Sequence, residues 1–112
     1  MPTTAREIAA MREIIRSSVR AMEYASTRTR QSLEAEPMFA DAVYRRLEII
    51  GEAAKRVSEF TKAQTPEVPW QKIIRTRNRI AHTFNEIDND IVWEITQSHL
   101  PTLVQEVNKV LK

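Results

Sequence analysis

The chain has 112 residues, 42% hydrophobic and 29% charged, a balance that excludes wholesale disorder and is ordinary for one globular domain spanning 1–112. It contains no cysteine and two histidines, which excludes disulfides and thiolate zinc sites and fits a reducing, cytoplasmic setting. A net charge of +2 does not by itself imply a nucleic-acid partner.

One glycine in the whole chain leaves little material for hairpin turns, while Ala, Glu, Arg, Ile and Leu are plentiful, so the expected class is all-α. No apolar run approaches the roughly eighteen residues of a membrane span, and the N-terminus lacks the apolar stretch of a signal peptide, so no membrane association is expected.

In chain order, Thr3 or Thr4 can cap a first helix whose inner face would carry Ile8, Met11, Ile15, Val19 and Met22. The polar run Ser26–Ser32 predicts a break and a short helical piece before Pro37. A long helix is expected from about Pro37 to Phe60, with Phe39, Val43, Leu47, Ile50, Ala54 and Val57 inward. Gly51 interrupts it at a cost of roughly 1 kcal/mol relative to alanine, which points to close approach of a neighbouring helix, where Glu52 could meet a cation.

Thr61–Pro69, with Pro66 and Pro69, reads as a rigid connector that launches a helix at Trp70. Asp88, Asn89 or Asp90 can cap the last helix, with Ile91, Ile95, Leu103, Val107 and Val110 inward and, because Pro101 sits inside it, a kink or a short restart expected after His99-Leu100. The predicted architecture is an up-and-down bundle of four main helices plus one short helix.

The stretch Arg77–Phe84 breaks the pattern of its helix. Trp70, Ile73, Ile74, Ile80, Ala81 and Phe84 recur three, four or seven residues apart, on one helical face, and position 77 of that series is an arginine. Its guanidinium must snorkel to water, find a buried counter-ion or serve a function. From Trp70 to Phe84 the basic residues are Lys72, Arg75, Arg77 and Arg79 with no acidic residue, which predicts a local positive field.

Arg77, Asn78 and His82 together suit a metal-independent attack on phosphate. Imidazole titrates near neutrality, with an ordinary pKa of roughly 6.5. Arginine offers a fixed fork of donors to phosphate oxygens, and Asn78 can orient the imidazole or bind an oxygen. On a regular helix, however, Arg77 and His82 stand about 140° apart and about 7.5 Å along the axis. Convergence requires the helix to end or distort before His82, or a second copy of the chain to complete the site. The acidic residues show no tight ligand spacing, so no metal and no cofactor is expected. His99 reads as a structural residue, and Trp93 and Tyr44 as packing residues.

Arg77-Asn78-x-x-x-His82 resembles the Arg-x4-6-His motif of the HEPN superfamily of small helical proteins, many of which are ribonucleases. Asp41–Arg56 (DAVYRRLEIIGEAAKR), Val68-Pro69-Trp70 and Glu86–Trp93 (EIDNDIVW) resemble its HepT-like branch. The resemblance implies a HEPN-like fold and the toxin of a toxin–antitoxin system: a homodimeric endoribonuclease that cleaves RNA by attack of the ribose 2′-hydroxyl. Arg77 and His82 would be catalytic, with Asn78 supporting them. Arg79, Arg75 and Lys72 of the basic stretch would assist on RNA. The implied partner is a minimal nucleotidyltransferase antitoxin, which in studied members adds AMP units to a tyrosine two residues after the histidine.

Here that position is Phe84, which has no hydroxyl and cannot accept a nucleotidyl group. Either the antitoxin inhibits by binding alone, another hydroxyl such as Tyr44 or Thr83 is used, or this copy has left that regulation. The alternative to an enzyme is a non-catalytic HEPN module that docks a nucleotidyltransferase or RNA through the same surface.

Overall fold

A computed structural model of the chain describes residues 4–82 and 87–112. The elements are α1 (Ala5–Ala25), α2 (Ser32–Ala35), α3 (Pro37–Ala54), α4 (Glu59–Ala63), α5 (Trp70–His82), α6 (Asn89–Glu94), a π-helical turn (Ile95–His99) and α7 (Leu100–Leu111). α6, the π turn and α7 follow one another without a break, so the described residues form four long rods and two short helices, an all-α fold. α1 packs on α3 and α7, and α5 packs on α3.

The predicted caps hold. Thr4 Oγ1 accepts from the Glu7 N–H at 3.0 Å, and Asp88 caps α6 by accepting from the N–H groups of Asp90 and Ile91. Pro37 occupies the first turn of α3, where its missing N–H costs nothing.

The third rod is shorter than its apolar pattern suggests. Every predicted inner residue of Pro37–Phe60 is buried, Val57 included, but the helix ends at Ala54 and the chain turns before Ser58 starts α4. Ser58 accepts from the Thr61 N–H at 3.1 Å, a capping signal that lay within the expected helix. α4 also absorbs the start of the expected connector. Its continuation is pinned by Trp70, whose indole N–H donates to Thr65 Oγ1 at 3.0 Å in a buried bond.

The first helix is corrected in rotation. Its buried positions are Glu7, Ala10, Met11, Ile14, Ser17, Ser18, Ala21 and Ala25, a face turned by about 90° from the expected one. Val19 is exposed at 38%, and Ile15 and Met22 only flank the core. Bulk misled the pattern: small Ser and Ala side chains let α1 close against its neighbours, and the larger residues fall to the edge.

The last rod buries Val92, Thr96 and Leu100 as well as Ile95, Leu103 and Val107, whereas Ile91 and Val110 are half-buried. The kink or restart expected after His99-Leu100 takes the form of a π turn, in which the Leu100 N–H reaches back to the Ile95 carbonyl, followed by α7 from Leu100. Proline would otherwise clash with the carbonyl four residues earlier, and a widened turn immediately ahead of it lets the rod continue. No described helix is long and apolar enough to cross a membrane.

Candidate functional site

α5 carries all the residues expected to act on RNA: Lys72, Arg75, Arg77, Asn78, Arg79 and His82. Trp70, Ile73, Thr76 and Ile80 are its buried side, and Ile74 and Ala81 are half-buried. Arg77 lies beside that stripe with its side chain 17% exposed, against α3.

Two α3 residues make room for Arg77 and answer its charge. A Cβ built on Gly51 would overlap the Arg77 Cβ and lie 2.6 Å from its Cγ and 3.4 Å from the Ile73 carbonyl oxygen, so only glycine fits under this crossing. One residue on, Glu52 Oε2 meets Arg77 Nη2 at 2.5 Å, a charge contact outside hydrogen-bond geometry. Arg77 Nη1 donates to Asn78 Oδ1 at 3.2 Å. Arg77 Nε is buried with no hydrogen-bond partner among the described residues. What remains exposed of Arg77 opens on a cleft of about 490 Å³, which Glu52, Glu48, Glu13, Arg45 and Arg56 also line.

His82 is exposed in the last turn of α5. The helix persists through it, so the first route to convergence, an end or distortion before His82, is not taken. Arg77 and His82 of one chain therefore project on different sides of α5, about 140° apart. His82 instead shares a face with Arg75 and Arg79, at the i, i+4, i+7 spacing, and with Lys72 one turn before. That alignment was readable in the sequence as a basic helical stripe ending in histidine.

Lys72, Arg75 and Arg79 line a second cleft, of about 220 Å³, between α5 and the start of α6, with Thr76, Ile87 and Asp88. Lys72 is committed to an ion pair with Glu94 at 2.5 Å, which holds the Glu94 carboxyl below its usual range. Arg75 is exposed, as is Arg79, which has interactions of its own. Asn78 is half-buried beside Arg77 rather than against His82. Among the described residues, no group of three or more His, Cys, Asp or Glu side chains could hold a metal ion.

The model of the family described as "Ribonuclease HepT-like" matches residues 14–110. The chain belongs to the HepT-like ribonuclease family. It is similar to "Putative RNase MJ0127" of Methanocaldococcus jannaschii, 35% identical over 71 residues that cover 63% of this chain and 59% of the relative. It is also similar to "Probable ribonuclease HepT" of Thermococcus cleftensis, 35% identical over 71 residues that cover 63% of this chain and 64% of the relative. A bacterial relative, "Putative RNase TTE0752" of Caldanaerobacter subterraneus, is 31% identical over 77 residues, 69% of each chain. The matches to the first two span less than two thirds of those relatives. No solved structure matches the chain.

Phe84, which stands where the resemblance implies a tyrosine, lies with Thr83 outside the described residues. Tyr44, the other hydroxyl considered for modification, is half-buried on α3, and its O–H donates to Asn89 Oδ1 at 2.5 Å. Burial pushes its phenol pKa up, although the bond to Asn89 acts in the opposite direction. Trp93 packs against the core, as does the Tyr44 ring. His99 is held in the π turn, 3.9 Å from Glu94, with its Nε2 buried.

Proposed function

We propose that this HepT-like protein is the toxin of a toxin–antitoxin pair and a metal-independent endoribonuclease, working as a homodimer. Arg77 clamps the scissile phosphate and the charge that builds on it, and His82 is the general acid or base. The ribose 2′-hydroxyl gives up its proton and its oxygen attacks the adjacent phosphorus while the bond to the 5′-oxygen breaks and that oxygen takes a proton, His82 handling one of the two transfers and water the other. The products are a 2′,3′-cyclic phosphate and a 5′-hydroxyl.

The observation that carries this reading is the division of labour around α5: a seated arginine on one side, and on the other a basic stripe that ends in an exposed histidine. Since the two diverge within one chain, the working site pairs Arg77 of one protomer with His82 of its partner. Arg75 and Arg79 guide the RNA backbone toward that histidine, Lys72 joins them when RNA draws it from its pair with Glu94, and Asn78 supports Arg77. The neutralising partner is a minimal nucleotidyltransferase antitoxin, which with Phe84 in the motif acts by binding rather than by modifying that position.

The test is to incubate purified protein with total cellular RNA beside His82→Ala and Arg77→Ala. New 2′,3′-cyclic phosphate ends are expected from the wild type, in the presence of EDTA, and from neither variant. Cleavage retained by either variant, or a strict need for a divalent metal, sinks the mechanism. The absence of a hydroxyl at position 84 favours a second reading, a non-catalytic module that docks the nucleotidyltransferase or RNA, which predicts a tight complex and no RNA turnover at any enzyme concentration.

A further inference from the structure

Glu52 neither lies in the Arg-x4-His motif nor shares its helix, yet it is the acid that the structure sets against Arg77. We propose that Glu52 is the positioning residue for Arg77 and holds its guanidinium in the orientation that receives the scissile phosphate. This inference rests on the catalytic role of Arg77 proposed above.

Three interactions leave the Arg77 side chain little freedom. Its Cβ and Cγ sit over Gly51, where no other residue would fit. Its Nη2 is drawn to Glu52 Oε2, an oxygen that is itself buried although half of the residue is open to solvent. Its Nη1 is tied to Asn78. A guanidinium has five N–H donors in a rigid plane. With Nε buried and one partner at each terminal nitrogen, each terminal nitrogen keeps at least one further N–H, and Arg77 borders the open cleft.

A carboxylate suits this task because one charge contact fixes the plane of the fork before substrate arrives. Pre-organised donors cost no reorientation in the transition state. An arginine without that carboxylate would sample several rotamers, and a displacement of about 1 Å can cost on the order of a hundredfold in rate.

The experiment compares single-turnover RNA cleavage and RNA affinity in the wild type, Glu52→Gln, Arg77→Ala and the double variant, with folding followed by circular dichroism. Glu48→Gln, which removes the same charge from the same cleft, serves as control. Glu52→Gln is expected to lower the cleavage rate by at least about tenfold while RNA binds as tightly as before or tighter, since a repelling charge is gone. The double variant should cleave no more slowly than Arg77→Ala, and Glu48→Gln should keep the wild-type cleavage rate while binding RNA as tightly or tighter. Glu52→Asp, which retains the charge on a shorter stem, should recover part of the rate and supplies the comparison if Glu52→Gln does not fold. The Arg77 Nε–H resonance gives a readout independent of turnover, expected sharp in the wild type and broadened in Glu52→Gln.

A wild-type or faster rate in Glu52→Gln, with Arg77→Ala inactive, overturns the role of Glu52 and leaves that of Arg77 intact. So does an Arg77 resonance indifferent to the substitution. Full cleavage by Arg77→Ala overturns instead the catalytic reading on which the inference rests.

Discussion

Arg77 and Gly51 occupy one another's space: the arginine stem lies where a side chain on the glycine would be, so α3 and α5 cross at a point fixed by the one residue without a Cβ. The chain's sole glycine and its misplaced arginine are two halves of one feature. Glu52, next along α3, then meets the charge that this crossing brings inward.

Gly51→Ala should therefore cost stability despite better helix propensity. Propensity returns at most roughly 1 kcal/mol, whereas overpacking costs typically about 1–3 kcal/mol. A net loss of about 1 kcal/mol is expected in urea denaturation, with a larger proportional loss of RNA cleavage because Arg77 must move. Unchanged cleavage would show that its seat does not matter.

A site shared between two protomers has a signature that no single-chain site can produce. Arg77→Ala and His82→Ala, each inactive alone, should recover activity when mixed and allowed to exchange subunits. Half of the randomly paired dimers then hold one intact site of two, so the mixture should reach roughly a quarter of wild-type activity. Recovery absent after demonstrated exchange would place both residues in one chain.

The basic stripe should be visible in the salt dependence of RNA binding. Removing a side chain that neutralises one phosphate of a single-stranded ligand reduces the slope of log affinity against log salt by about 0.7. Arg75→Ala and Arg79→Ala are each expected to show about that reduction, measured by filter binding on a catalytically inactive background. Slopes equal to the unsubstituted protein's would remove the stripe from the RNA path.

Glu7 should give the fold an acid-sensitive joint. Burial by itself pushes its carboxyl up, but hydrogen bonds from the Ser58 N–H at 2.8 Å and from the Ser58 and Thr61 side chains hold it below the ordinary value. A folded pKa below the unfolded one means that the stabilisation is present above the unfolded pKa, roughly 4.3 for glutamate, and is lost as pH falls through the folded value. Glu7→Gln should lower Tm near neutral pH and narrow the gap from wild type as pH drops below about 4. A gap that stays constant with pH would mean the charge of Glu7 is not what ties α1 to the start of α4.

Much of this was legible because it rests on local chemistry. Thr4 and Asp88 announce helix starts by their side-chain oxygens, the spacing of apolar residues marks the inner face of α3, and Arg77 stands out against its own stripe. The errors fall where a neighbour decides. The rotation of α1 follows from which face can approach closely, so Ser17, Ser18 and Ala21 displaced Val19 from the interior. Beyond the end of α3 at Ala54, the Ser58 N–H donates to Glu7, fifty-one residues earlier, a contact that no local pattern announces.

The sequence by itself determined that the fold is helical and that an arginine, an asparagine and a histidine close a basic helix, because periodicity and residue chemistry are properties of short segments. It also pointed to Gly51 and Glu52 as the place where a second helix would come close. Only the tertiary structure decided that this helix is α5 and that Arg77 is the cation seated there. Those are questions of which surfaces meet, and they are settled by packing between segments that no local pattern encodes.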